Sequence, residues 1–567
     1  MRISASKTPL LTFAWVLFGC CLCSCLAQPR PQPNNTVYEV FLRSFYDANG
    51  DGIGDLKGLT AKLDYLNDGK PETDSDLEIG ILWLMPIFPA GAYHGYDVTD
   101  YENINPQYGS LGEFKTLLAE CHKRGIRVIL DMPLNHTSNK HPWFIQAVNN
   151  QNGLRPCYYI WPDDGYTAEK WHTTVDSQGN KLKYFGLFGD NMPDLNFDCP
   201  LVRQKVQAVA KYWLDLGVDG FRLDAAKHIY GWSYDLAEGD ILRNGDFWRE
   251  FTLYVNGIKN NAVLVGEVLG DQYMLTRHAR GLNALIDEPF MNDARAQIVK
   301  PGAGFVGRWK DFLNKAQALN LDKSYASFAY LASHDRNPRL ASELEQKTPG
   351  QVDARYRLGM CMLMSLAKYP VLYNGDEVMQ KGWKWNGNRP NDKDNTGDSS
   401  GVYDETLREP VPWYKSGKGP GQTNWQPPNQ PGFLPKYHQP GDGASVEEQD
   451  VDGGMLRLVK ALTSLRKKLP AFADGDLDRI LTDSDEWMVF ERVQASDCYL
   501  VLINLTTQGK DYAFHAQWHP EYQKAQLLFW NNAQDKKWQD LTGQPKPIND
   551  TVYVPPLGMV LLRKTAP

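Results

Sequence analysis

Residues 217–228 read G-V-D-G-F-R-L-D-A-A-K-H, and the fold turns on how that stretch is placed. As a strand it sends alternate side chains to opposite faces, with Arg222 and Asp224 on one and Phe221, Leu223 and Ala225 on the other. The apolar face suits packing against helices. A guanidinium two residues before a carboxylate on the inner face is expected to lower that carboxylate's pKa and keep it ionised. The bland alternative is a structural ion pair at a strand end. Three further stretches tell against it. Residues 263–268 (V-L-V-G-E-V) deliver Glu267, 327–335 (S-F-A-Y-L-A-S-H-D) deliver His334 and Asp335, and 127–136 (R-V-I-L-D-M-P-L-N-H) deliver Asp131, Asn135 and His136. Four apolar strands with polar groups at their carboxyl ends describe a β/α barrel, whose C-terminal face holds the chemistry.

In this order the four stretches resemble the signature regions of the α-amylase superfamily of retaining glycoside hydrolases (family 13 type). Met192-Pro193-Asp194-Leu195-Asn196 resembles the additional signature before the fourth barrel strand. The resemblance implies an α/β fold: a (β/α)8 TIM barrel, a small excursion domain after strand 3, and a C-terminal antiparallel β-sandwich domain. Position by position it implies Asp224 as nucleophile, Glu267 as general acid/base and Asp335 as transition-state carboxylate. Arg222, His136 and His334 resemble the groups around the sugar at the cleavage subsite. Tyr96, in Y-H-G-Y-D-V-T-D-Y (93–101), resembles the ring that stacks beneath that sugar. His94 stands where relatives that trim chain ends commonly carry Asp, as it does in amylases that cut internally. Lys227 and His228 resemble a pair that holds sugars on the leaving-group side. Leu269 departs from the pattern, since many relatives carry Trp there.

Composition is consistent with a soluble multidomain enzyme. The chain has 567 residues, 42% of them hydrophobic, enough for a large barrel plus smaller modules. A net charge of −8 offers no basic patch for nucleic acid, while 17 Trp and 28 Tyr supply rings for sugar faces as well as for cores. Arg2 and Lys7 precede a short apolar run at 10–18, the form of a secretory leader rather than a membrane span. L-F-G-C at 17–20 and L-C-S-C at 22–25 resemble a lipoprotein processing box, with simple cleavage after Ala27 as the alternative. Export follows either way: to the periplasm, to the outer membrane through a lipid anchor, or to the medium. A monomer is expected. Five of nine cysteines lie beyond the leader, and free buried thiols are the reading taken for them. A Cys157–Cys199 disulfide stays open in an oxidising compartment.

The organisation expected is a leader at 1–27, a Pro/Gln/Asn-rich tether at 28–36, barrel segments at 37–136 and 200–470, the excursion at 137–199 and a β-domain at 471–567. After the first strand comes D-A-N-G-D-G-I-G-D (47–55). Asp47, Asn49, Asp51, the Ile53 carbonyl and Asp55 match the first part of an EF-hand loop, with Gly at the sharp turn. The expectation is a structural Ca2+. No final Glu or second helix completes the motif, and a plain Gly-rich turn is the alternative. Asn135 and His228 resemble part of a second calcium site, without a complete ligand set. The function expected is an exported α-amylase cutting internal α-1,4 bonds of starch, glycogen and maltooligosaccharides. A neopullulanase or cyclomaltodextrinase specificity is the runner-up, and a non-catalytic glucan-binding lipoprotein the remote alternative.

Overall fold

The computed structural model describes residues 34–564 apart from 71, 150–156, 163–169, 232, 321–323, 387–401, 426–440, 515–521, 523–524 and 549. The leader and nearly all of the tether lie outside the described residues. Parallel strands β1 (Val37–Val40), β2 (Ile81–Leu84) and β3 (Arg127–Pro133) are followed by an antiparallel pair, β4 (Trp171–Val175) and β5 (Lys181–Phe185). Parallel pairing resumes with β6 (Gly220–Asp224), β7 (Val263–Gly266), β8 (Ala284–Ile286), β9 (Ala326–Tyr330) and β10 (Tyr369–Tyr373). The eight barrel strands close in the order β1-β2-β3-β6-β7-β8-β9-β10, so β4 and β5 belong to the excursion. The fold is therefore a (β/α)8 barrel.

Alternation along each strand builds two cores. Ile81, Ile129, Val265, Phe328 and Val371 fill the barrel, while Leu82, Leu84, Phe221 and Leu223 pack outward with Trp213 and Trp248 from the surrounding helices. Local chemistry sets the helix ends. Ser110 and Glu113 form a reciprocal capping box at the start of Leu111–Lys123. Pro200 opens the helix Pro200–Leu216, and Gly217, at φ 112°, closes it just before β6. Gly220 admits no side chain, because an added Cβ would lie 1.9 Å from the Val263 carbonyl oxygen.

Some elements are shorter than their sequence patterns suggest. Of the apolar run I-L-W-L-M-P-I-F (81–88) only Ile81–Leu84 pairs, and the stretch 446–468 holds two helices, Val446–Gln449 and Met455–Lys468, rather than one. Gly453, at φ 78°, lies in that break. Beyond residue 475 the antiparallel strands Asp476–Asp483, Trp487–Gln494, Asp497–Asn504, Gln526–Asn532 and Met559–Arg563 belong to one sheet. A second pair, Lys510–Ala513 with Thr551–Val554, packs on it over Val489, Leu502, Phe514, Val552 and Val560. This is a small β-sandwich.

The free-thiol reading fails for two cysteines: Cys157 and Cys199 are joined. Bridge pairing of Tyr159 with Leu195 and of His136 with Asp194 draws the two ends of the excursion together, and brings these Cα atoms to 5.5 Å. Cys121 and Cys361 remain buried thiols, and Cys498 is half-buried.

Two glycines provide opposite tests of this packing. Gly220→Ala should lower the unfolding free energy by about 2 kcal/mol or more through overpacking and an unfavourable φ. Gly257→Ala, in a helix with open space around it, should raise it by up to about 1 kcal/mol. Denaturation midpoints moving in the same direction would contradict the local geometry.

Candidate active site

Strand register assembles the centre. β3 pairs with β6 so that Asp131 lies beside Arg222 and Pro133 beside Asp224, while Arg222 pairs with Val265 on β7, two residues before Glu267. The buried Arg222 guanidinium is then shared three ways. Its Nη1 reaches Asp131 at 2.8 Å and Asp224 at 2.5 Å, and its Nη2 reaches Glu267 at 2.7 Å. Asp131 also accepts from Tyr96 at 3.0 Å and from the Trp83 indole at 3.3 Å.

The backbone completes the arrangement. Ala225 follows Asp224 in the left-handed region, at φ 48°, a conformation that costs a residue with a Cβ about 1–3 kcal/mol. Its amide donates to Glu267 Oε2 at 2.9 Å. The turn thus ties the carboxylate ending β7 to the strand that ends in Asp224.

A second hub stands beside the first. The buried imidazole of His334 donates through Nδ1 to Glu39, and its Nε2 lies 2.9 Å from Asp335 and 2.7 Å from the Tyr96 hydroxyl. Arg408 Nη2 joins Asp335 at 2.8 Å and Asp404 at 2.7 Å. Asp335 does not end a strand, since it lies beyond β9 in the following loop. Its side chain keeps 45% of its surface accessible.

These contacts set the charges. Burial, together with the Asp131 charge, raises Asp224 to about 6 despite Arg222. The expectation that Arg222 would hold this carboxyl low is therefore corrected: one guanidinium divided among three carboxylates does not offset their desolvation and mutual repulsion. Burial, with Asp224 and Asp335 nearby, raises Glu267 to about 7. Against the effect of burial, Asp335 and Glu39 raise His334 to about 10, while His334 and Arg408 hold Asp335 well below the usual carboxylate range. Burial keeps His136 neutral, lowering it to about 4.

The cluster lines a cleft of about 690 Å3 that reaches His94, Tyr96, His136, Asp224, Glu267 and Asp335. An adjoining hollow of about 280 Å3 shares Glu267, Leu269 and Asp335. Arg222 and His334 line that hollow, whereas Lys227 and His228 line neither space. Lys227 gives its ammonium to the Leu269 carbonyl at 2.9 Å. His228 is buried, with Phe188 and Tyr234 edge-on to its ring at 5.7 and 5.8 Å. Those two exposed rings line the cleft in its place. Trp413 and Trp425 are core residues, packed on Phe45 and Phe41.

Sequence reasoning missed Glu39, Asp404, Arg408, Phe188 and Tyr234. Two signals were available: Glu39 is the one charge in V-Y-E-V, and Asp404 and Arg408 stand four apart in D-E-T-L-R.

Outside this cluster, the loop 47–55 wraps Asp47 around the amides of Gly50 and Gly52, and Asp51 around that of Ile53. Asp47 and Asp55 are nearly buried. Among the described residues, no group of three or more His, Cys, Asp or Glu side chains gathers to hold a metal. A cation in this loop would therefore also need Asn49 and the Ile53 carbonyl. Asn135 Nδ2 donates to the His228 carbonyl at 2.5 Å and to Asp194 at 3.4 Å.

The profile of the alpha amylase catalytic domain matches residues 39–475. The chain belongs to the α-amylase family. It is 32% identical to Alpha-amylase 3 of Dictyoglomus thermophilum over 90% of its own length and 91% of that protein's. It is 29% identical to a 4-alpha-glucanotransferase of Thermotoga neapolitana, over 83% and 95%. The crystal structure of an alpha-amylase from H. orenii superposes with a TM-score of 0.74 at 32% identity, covering 94% of this chain and 100% of that one. The protein is thus a glycoside hydrolase or transferase of a family whose enzymes act on α-glucans, and the reading of a merely glucan-binding protein gives way.

The His334 hub makes a titration prediction. In the wild type His334 should stay charged to about pH 10. Because its folded pKa is raised, the stability this brings is complete below the unfolded value near 6.5 and fades as pH rises through 10. In Asp335→Asn, imidazole NMR should show its pKa falling by more than one unit. An unchanged value would leave Asp335 without the role described.

Proposed function

We propose that this protein is an exported α-amylase that hydrolyses internal α-1,4 bonds of starch-like glucans by a retaining double displacement. The observation carrying this is the sharing of Arg222 between Asp224 and Glu267 on the floor of a ring-lined cleft. Retention needs a nucleophilic and an acidic carboxyl across the anomeric carbon, about 5–5.5 Å apart, and adjacent nitrogens of one guanidinium hold two carboxyls side by side. Asp224 attacks the anomeric carbon as the glycosidic bond breaks, and the leaving oxygen takes the Glu267 proton. Glu267, now ionised, removes a proton from water, whose oxygen displaces Asp224 and frees the sugar. Asp335, ionised and open to the cleft, accepts hydrogen bonds from sugar hydroxyls that tighten in the transition state. Tyr96, held by Asp131 and His334, offers its ring to the sugar.

Internal cutting is supported by His94 at the cleft wall, where chain-end enzymes of the family commonly carry Asp. Similarity to a 4-alpha-glucanotransferase, with Leu269 in place of Trp, favours a second reading in which a sugar hydroxyl competes with water for the covalent intermediate. The neopullulanase or cyclomaltodextrinase reading stays within the same mechanism. We also propose structural calcium for the loop 47–55. Its donors are all oxygen, and Asp47 and Asp55 are buried there with no salt bridge among the described residues. The basic, short apolar leader supports export, with lipid attachment or plain cleavage.

Asp224→Asn and Glu267→Gln should each lower kcat on soluble starch by about 10^4-fold or more. The wild type should release mixed maltooligosaccharides with an early fall in viscosity. Glucose as sole product, or faster turnover of pullulan or cyclodextrin, would contradict the α-amylase specificity, and activity surviving the substitutions would overturn the mechanism. The rate should rise as pH passes about 6, where Asp224 ionises, and fall above about 7, where Glu267 loses its proton. The two groups interact, so the limbs belong to the pair. Metal analysis should find calcium that chelation removes with a lowered Tm, and Asp47→Ala should abolish that shift. A metal-free protein of unchanged Tm would refute the calcium assignment.

A further inference from the structure

We propose that Glu39 is a positioning residue of the reaction: from inside the barrel it keeps both ring nitrogens of His334 protonated, and through that imidazolium it fixes Asp335 and Tyr96 against the sugar. This role rests on the functions proposed above for Asp335 and Tyr96.

Alternation along β1 places Glu39 on the inward face with Val37. Register sets it beside Trp83 on β2 and Tyr373 on β10. Both of those rings pack edge-on against the His334 imidazole, at 6.2 and 6.4 Å. The carboxylate and the imidazole therefore meet between aromatic neighbours, out of reach of solvent. Such a carboxylate is costly. One oxygen, Oε1, accepts from His334 Nδ1, but Oε2 is equally buried and has no hydrogen-bond partner among the described residues. Leaving that oxygen unpaired lowers stability, and an apolar side chain would fill the same place in V-Y-E-V without the penalty. The charge itself is what Glu39 adds.

Its effect follows from counting protons. Glu39 faces Nδ1, while Asp335 at 2.9 Å and the Tyr96 hydroxyl at 2.7 Å face Nε2. Asp131 stands behind Tyr96. Arg408 reaches the His334 carbonyl at 3.3 Å, and Arg222 and Glu267 share the adjoining hollow. A neutral ring has one proton and cannot donate to Glu39 and Asp335 together. With that proton on Nδ1, the Nε2 lone pair would repel Asp335 and draw the Tyr96 hydroxyl away from Asp131. Two protons satisfy every partner. Nδ1 donates to Glu39, Nε2 donates to Asp335 and the Tyr96 oxygen, and Tyr96 keeps its bond to Asp131 at 3.0 Å. A carboxylate at Nδ1 favours this charged form.

The test uses fluoride release from α-maltosyl fluoride by Glu267→Gln protein, a step that no longer titrates with Glu267. Its rate should hold level from about pH 7, where Asp224 is ionised, until His334 loses its proton near pH 10. Adding Glu39→Gln should lower the His334 pKa by more than one unit in imidazole NMR. Below that new pKa the rate should match the parent's, which verifies folding, and one unit above it the rate should be about tenfold lower. Glu39→Asp, which keeps the charge, should restore most of the rate at that pH. An unchanged His334 pKa, a lowered pKa without loss of rate, or a loss equal at every pH would overturn this inference and leave the mechanism intact. Absence of fluoride release from Glu267→Gln protein with Glu39 in place would overturn both.

Discussion

The active centre depends on one positive charge serving three negative ones. Arg222 is buried, and so are Asp131, Asp224 and, largely, Glu267 around it. Burying an ionised carboxylate is costly unless it is paired, and a single guanidinium cannot neutralise three. The deficit appears as proton affinity. Asp224 and Glu267 are both raised, but Glu267 more so, to about 7 against about 6. Two carboxyls with separated proton affinities in one pocket are what a nucleophile and an acid require. Asp335, with His334 and Arg408 as partners, goes the other way and stays ionised.

The barrel serves this arrangement through register. Because β3, β6 and β7 are parallel neighbours, a shift of one residue in any of them would turn its inward groups outward. Gly220 fixes the approach of β6 to β7, and the left-handed Ala225 stops the strand where its amide can reach Glu267. Such a strained residue is held by its surroundings, and its position beside the acidic pair fits a site that fixes geometry at some expense of stability.

Most of the catalytic floor was legible in the sequence because strand periodicity and residue type together determine it. Arg222, Asp224 and Glu267 follow from alternation and from the ends of apolar runs. What was not legible depends on contacts between distant segments. Glu39 matters because it meets His334, 295 positions away. Arg408 comes from a polar loop whose periodicity indicates no element, yet it reaches Asp335, 73 positions earlier. The Cys157–Cys199 bond depended on bridge pairs that close the excursion, which composition does not encode. The rise of Asp224 was missed because the strand pattern shows Arg222 beside one carboxylate, whereas the register places it among three.

The central claim is that Asp224 forms a covalent bond to the sugar while Glu267 serves the other step. An α-maltosyl fluoride needs little acid help to leave, so with Glu267→Gln protein the first step should proceed and the second should stall for want of a base. Intact mass and peptide mapping should then find a maltosyl group on the peptide containing Asp224, and none when Asp224→Asn is added. No adduct, or an adduct on a different carboxylate, would contradict the account.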